Sequence, residues 1–177
     1  MNDIKYFENL LPKGYADAIE SDLIRTKFPW YYINDVTNPN YGTNSGMAHV
    51  AYELGAPPSE WFPFIKPLTY CLEEVHGAPI KELFRIRVGF LTPTVDVNNE
   101  YNTPHVDFLW PHYTACYYVN DSDGDTILFD KMLSDVGTDL NEKTVQEFTA
   151  NSQFNVVGRG TPKKNSVCIF DGQRFHA

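Results

Sequence analysis

Cysteine is scarce in this chain: only Cys71, Cys116 and Cys168 occur, with no Cys-x-x-Cys pair among them. An odd, widely spaced set supplies neither a disulfide framework nor a zinc ribbon, so the three read as buried thiols. Basic residues are also few. Fourteen Lys and Arg stand against 23 Asp and Glu, a formal net charge of −9, and that balance opposes association with nucleic acid or an anionic membrane. Arg159, Lys163 and Lys164 do gather locally, but on a Gly/Pro turn such a group reads as a solvated loop rather than a phosphate site. No run of eighteen apolar residues is present, and Met1-Asn2-Asp3-Ile4-Lys5 is not a basic segment leading into an apolar one. Neither a membrane span nor a secretory leader is indicated. The expectation is a cytoplasmic protein acting on a small-molecule or peptide substrate, with its oligomeric state open. Internal repeats and low-complexity segments are absent too.

What is abundant is aromatic: 12 Phe and 11 Tyr in 177 residues. The length suits one domain, residues 1–177, with a sizeable core, and the aromatic content suits a β-rich fold. Ile4 to Phe7 reads as a short strand and Pro12 to Arg25 as a helix. Phe28 to Ile33 reads as an edge strand because of Pro29. Asn34 to Gly46 is a connection, plain or forming a flap. Met47 to Tyr52 is a further strand. Ser59 to Val75 repeats apolar residues at three and four and reads as a second helix, ended by His76-Gly77. From Leu83 to Phe90 the period becomes two, which places Arg85 and Arg87 on one face of a strand. Tyr113 to Asn120, Ile127 to Phe129, Phe154 to Val157 and Ser166 to Phe170 read as strands. Leu133 to Phe148 is a weakly patterned, acidic surface excursion with a single helical turn. Short strands separated by turns give a mainly β, α+β fold of two packed sheets with supporting helices.

Two stretches carry chemistry. In Pro104-His105-Val106-Asp107, side chains at i and i+2 of an extended strand leave the same face, so His105 and Asp107 converge. Pro104 biases Thr103 toward extended geometry and presents that strand. Near the end runs Phe170-Asp171-Gly172-Gln173-Arg174-Phe175-His176. With His176 on a neighbouring strand, two imidazoles and one carboxylate occupy one face of an octahedron and leave three positions open, the ligand set of non-haem Fe(II) oxygenases. The passage Phe108-Leu109-Trp110-Pro111-His112 is either a substrate wall beside the metal or ordinary packing. His112 as an additional ligand is disfavoured by the turn that Pro111 implies. On the next strand Thr114, Cys116 and Tyr118 share one face.

The order of these pieces, from Arg85 to Ala177, resembles the Fe(II)/2-oxoglutarate dioxygenase superfamily, in particular its prolyl-hydroxylase-like branch with phage and bacterial members. The resemblance implies a jelly-roll, or double-stranded β-helix. It places the metal ligands on His105, Asp107 and His176, and matches the family's Tyr-x-Asn strand to Tyr118-Val119-Asn120, whose tyrosine helps hold the far carboxylate of the co-substrate. Gly124-Asp125-Thr126 matches the family's Gly-Gly-Glu-Thr turn loosely. The implied cofactors are Fe(II), 2-oxoglutarate and O2, and the implied reaction is hydroxylation of a C–H bond, of a prolyl or other amino-acid residue, with release of succinate and CO2. Halogenating relatives lack the carboxylate that Asp107 supplies. Thr114, Cys116, Tyr118 and Arg87 are the candidate co-substrate residues. The family's Arg or Lys beyond the distal His, which pairs with the remote carboxylate, has no counterpart before Ala177. The expectation is therefore a domain whose last strand lies beyond this sequence, or substitution by Arg85 or Arg87. The competing reading is a non-catalytic metal-binding jelly-roll module. A zinc hydrolase with the same ligands fits less well, since no separate general base stands out.

Overall fold

The computed structural model describes residues 4–25, 27–34, 45–91 and 101–177. Along the chain run β1 (Lys5–Glu8), α1 (Lys13–Ile24), β2 (Tyr31–Ile33), β3 (Gly46–Glu53), α2 (Phe62–Ile65), α3 (Pro67–His76) and β4 (Arg85–Leu91). Then follow β5 (Tyr113–Tyr118), β6 (Thr126–Met132), a 3-10 turn (Leu133–Val136), α4 (Glu142–Asn151), β7 (Val156–Gly160), β8 (Ser166–Asp171) and β9 (Arg174–His176). The fold is mainly β, of α+β class: three small antiparallel sheets, ordered β1-β8-β5, β2-β3-β4 and β7-β6-β9, with helices. Two compact units divide these elements. One joins the described residues of Met1–Glu8 and Val97–Ala177; the other is Asn9–Asp96. Among the described residues no helix is long and apolar enough to cross a membrane.

The unit formed by Asn9–Asp96 pairs β3 with β2 and β4. Ala16, Ile19 and Leu23 are the buried stripe of α1, at the three-and-four spacing of an amphipathic helix. The expected strand over Phe28 to Ile33 shrinks to Tyr31–Ile33, because Phe28 turns into the core and packs on Trp30, His49 and Trp61. The single helix expected from Ser59 to Val75 is two pieces. Pro67 has no N–H to continue α2 and instead opens α3, the position that proline favours. Ser59 does not cap it: its hydroxyl accepts from Trp61 N–H and bonds His49 Nε2 at 2.9 Å. Gly77, at φ 80°, closes α3 as expected.

The other unit contains two sheets. β8 is the centre of the first, flanked by β1 and β5, and Ser166 through Phe170 are all buried, as a short unbroken apolar run requires. β6 is the centre of the second. Its Leu128 packs with Cys168 and Phe170 of β8, so those faces meet as an interior layer. Ile127 and Phe129, on the other side of β6, join Phe175, Val145, Phe148 and Phe154. Here α4 covers the sheet, and an expected surface excursion proves to be a ten-residue helix. Its cap is Asn141, whose side chain accepts from Thr144 N–H while the Thr144 hydroxyl reaches back. Strand β7 begins at Val156 and runs to Gly160, two residues later than Phe154 suggested at its start and three at its end. Of the thiols, Cys168 alone is fully buried; Cys71 and Cys116 are half-buried. Arg159 faces Asp125 at 3.6 Å and Lys163 faces Glu8 at 2.8 Å, ordinary solvated ion pairs. The Asn34–Gly46 connection, except its ends, and most of the Thr92–Thr103 approach fall outside the described residues.

Candidate metal centre

The turn Asp171-Gly172-Gln173 carries the chain from one sheet to the other. Asp171 Oδ1 accepts from Gln173 N–H at 2.9 Å, a local turn closure, while Gly172 N–H donates to His112 O and Leu133 N–H to Gln173 O. The corner is thus fixed from three sides before β9 begins. On β9 side chains alternate: Phe175 points into the aromatic cluster with Phe148 and Phe154, and His176 points the other way, against Phe170.

His105 meets His176 as a directly opposed antiparallel pair. Each N–H donates to the other's carbonyl at 2.9 Å, and the ring centroids lie 4.5 Å apart. Asp107, two residues on, returns its carboxylate to the same face, with Oδ2 at 3.5 Å from His176 Nε2. One ligand atom from each of the three residues lies within 4.8 Å of the others, the one such grouping of His, Cys, Asp and Glu among the described residues. His176 is buried and the other two are half-buried, so the group is recessed with one side open.

The imidazoles are oriented from behind. His105 Nδ1 lies 3.2 Å from Thr103 O and His176 Nδ1 lies 3.0 Å from Arg174 O. A carbonyl only accepts, so each Nδ1 donates to it, and a neutral ring held this way presents the Nε2 lone pair that a metal ligand requires. Thr114 donates to Asp107 Oδ2 at 3.4 Å. Two neutral imidazoles and one carboxylate of this kind fit Fe(II).

Beyond the three residues lies a neutral polar wall. Tyr118 OH sits 2.8 Å from Thr126 Oγ1, 3.1 Å from Gly160 O and 3.3 Å from Cys168 Sγ. Burial, then the neighbouring Cys168, pushes its pKa far above the ordinary phenol value. The neighbouring Cys168 thiol, burial and the Asp107 carboxylate push the Cys116 pKa well up. The neighbouring Cys116, opposed by burial and assisted by Tyr118, holds Cys168 below the usual thiol value. Gly160 allows this close packing: a Cβ there would fall 2.7 Å from Tyr118 OH and 3.0 Å from Cys168 Sγ.

Thr114, Cys116 and Tyr118 therefore do share the inner face, as their alternation implied. Arg87 lies on β4 of the other unit, opposite Val50. His112 is outside the ligand group: its Nδ1 bonds Trp110 O at 2.8 Å, and its ring meets Phe108 edge-on. Phe108 stacks on Trp110 with centroids 4.8 Å apart. Sequence reading missed Thr126, Gly160 and Cys168 as wall residues, and the carbonyls of Thr103 and Arg174 as orienting groups. The only available signals were the Thr in Gly124-Asp125-Thr126 and the i−2 offset of Thr103 and Arg174 from the two histidines. No protein-family model matches the chain, and no curated protein matches it.

Proposed function

We propose that the chain is an Fe(II)- and 2-oxoglutarate-dependent dioxygenase of the prolyl-hydroxylase-like type, hydroxylating a C–H bond of a prolyl or other amino-acid residue, with a jelly-roll as its catalytic fold. The observation that carries this reading is the convergence of His105, Asp107 and His176, with both Nδ1 atoms held by backbone carbonyls. The facing sheets β1-β8-β5 and β7-β6-β9, with His105 bridged to the free side of β9, favour the jelly-roll layout.

His105 Nε2, His176 Nε2 and an Asp107 oxygen would hold the metal. Bound iron supplies the redox chemistry: a C–H bond becomes C–OH while 2-oxoglutarate and O2 become succinate and CO2. The protein's own part is placement. Thr114 steadies Asp107; the buried Phe170 walls the back of His176 and keeps water from it. Tyr118 donates to the Thr126 hydroxyl, which can turn its own proton toward a carboxylate at the depth of the wall. The aromatic pair Phe108 and Trp110, directly after Asp107, gives a flat apolar surface for a peptide or small molecule.

Incubation under air with Fe(II), 2-oxoglutarate and proline-containing peptides tests the proposal. Succinate formed by the wild type and reduced at least about 100-fold in Asp107→Ala, as expected for losing a ligand rather than its outer support, is the supporting result. Metal binding with no succinate above the Asp107→Ala background would leave the non-catalytic metal-binding module in its place.

A further inference from the structure

We propose that Cys116 and Cys168 form a redox-modification site, a dithiol that a small peroxide closes to a cross-strand disulfide. The two residues are register partners in the β5–β8 ladder. Directly opposed residues of an antiparallel pair have Cα atoms about 4.5–5.5 Å apart, inside the roughly 4.4–6.8 Å that disulfides span. Register alone does not aim the side chains, but Cys116 packs against the buried cluster that Cys168 forms with Leu128 and Phe170, so the two thiols share one packed interior. The backbone therefore needs no rearrangement to bring the sulfurs together. Tyr118 OH, at 3.3 Å from Cys168 Sγ, fixes one sulfur from the side, and the close approach of Gly160 fixes it from below. The third thiol, Cys71, belongs to α3 in the other unit and has no place in this pair.

Exposure selects the oxidant. Cys168 is fully buried and Cys116 packs against its cluster, so a bulky disulfide such as an oxidised tripeptide cannot reach either sulfur in line, whereas hydrogen peroxide is small enough to do so. One sulfur, as thiolate, attacks a peroxide oxygen. The O–O bond breaks, a sulfenic acid forms, and hydroxide leaves and is protonated to water. The second sulfur, as thiolate, then attacks the first; the S–S bond forms, the S–O bond breaks, and a second hydroxide leaves and becomes water. The two thiol protons end in the two waters, the sulfur pair loses two electrons and the peroxide gains them. None of this depends on whether the neighbouring His/Asp group holds iron.

The test is made on the full chain without added metal: stoichiometric hydrogen peroxide, alkylation under denaturing conditions, and peptide mapping without reductant. The expected result is a fall from three alkylatable thiols to one, which is Cys71, with the Cys116 and Cys168 peptides linked within one chain and restored to thiols by reductant. Cys71→Ser should retain the link in full. Cys168→Ser should lose it. Persistence of all three thiols, conversion to sulfinic or sulfonic acid without a link, or linkage through Cys71 between chains would overturn the proposal. Should Cys168→Ser not fold, Cys71→Ser decides alone, since an unlinked Cys116 and Cys168 in that variant gives the same refutation.

Discussion

Tyr118 shows how one side chain ties the wall of the site to folding. Its hydroxyl is satisfied by Thr126 and Gly160, and burial keeps the phenol protonated far beyond its ordinary range. Below a pH of about 10 the residue holds its proton in both folded and unfolded chains, and contributes no pH dependence. Above that value the unfolded chain releases a proton that the folded chain keeps, so the stability that burial of the neutral phenol confers is lost as pH rises. The slope from this one group is at most about 1.4 kcal/mol per pH unit. Urea unfolding of wild type and Tyr118→Phe between pH 8.5 and 11 should therefore show a shallower alkaline decline in the variant. Identical slopes would mean that Tyr118 ionises as freely folded as unfolded.

At the scale of elements, β9 is three residues long and yet positions the buried histidine of the metal group. Such a strand has little hydrogen-bonding of its own, so its anchor is Phe175, fully buried between Phe148 of α4 and Phe154. Truncating it removes an aromatic side chain from a packed layer, and Phe175→Ala should cost about 3–5 kcal/mol, measured as a shift of the urea midpoint at unchanged slope. A cost under about 1 kcal/mol would show that β9 is held by something other than α4 and its cluster. The helix responsible was invisible in the sequence for a definite reason. Its capping box uses Asn141 and Thr144 in place of the Ser/Thr and Glu/Gln pair that marks a start, and its buried side comprises little more than Val145 and Phe148. Pro67, by contrast, is plain in the sequence, but the pattern around it hides its effect: an apolar stripe at helical spacing continues through Phe64, Ile65, Leu68 and Leu72 although the backbone restarts between them.

For the molecule as a whole, the legible part of the site was local. His105 and Asp107 share a face because alternation in a strand demands it, and Thr114, Cys116 and Tyr118 do so for the same reason. The positions of β1, α1, β3, β5 and β8 likewise followed from period and punctuation. What local pattern could not supply was register. Nothing within either segment says that His105 faces His176, that Cys116 faces Cys168, or that Gly160 lies beneath Tyr118, because those pairings are set by the Asp171–Gln173 corner and by packing across the sheets. The resemblance to dioxygenases supplied the first pairing in advance and was silent on the others. The most direct measurement of the central proposal is made without oxygen: Fe(II) is added to the protein, then 2-oxoglutarate, and the visible absorption is recorded beside a His176→Ala control. A metal-to-ligand charge-transfer band that appears only when both are present, and is lost in the control, is the expected result. Iron binding with no band, or a band that persists without His176, would contradict the assignment of His105, Asp107 and His176 as the iron site of a 2-oxoglutarate-dependent enzyme.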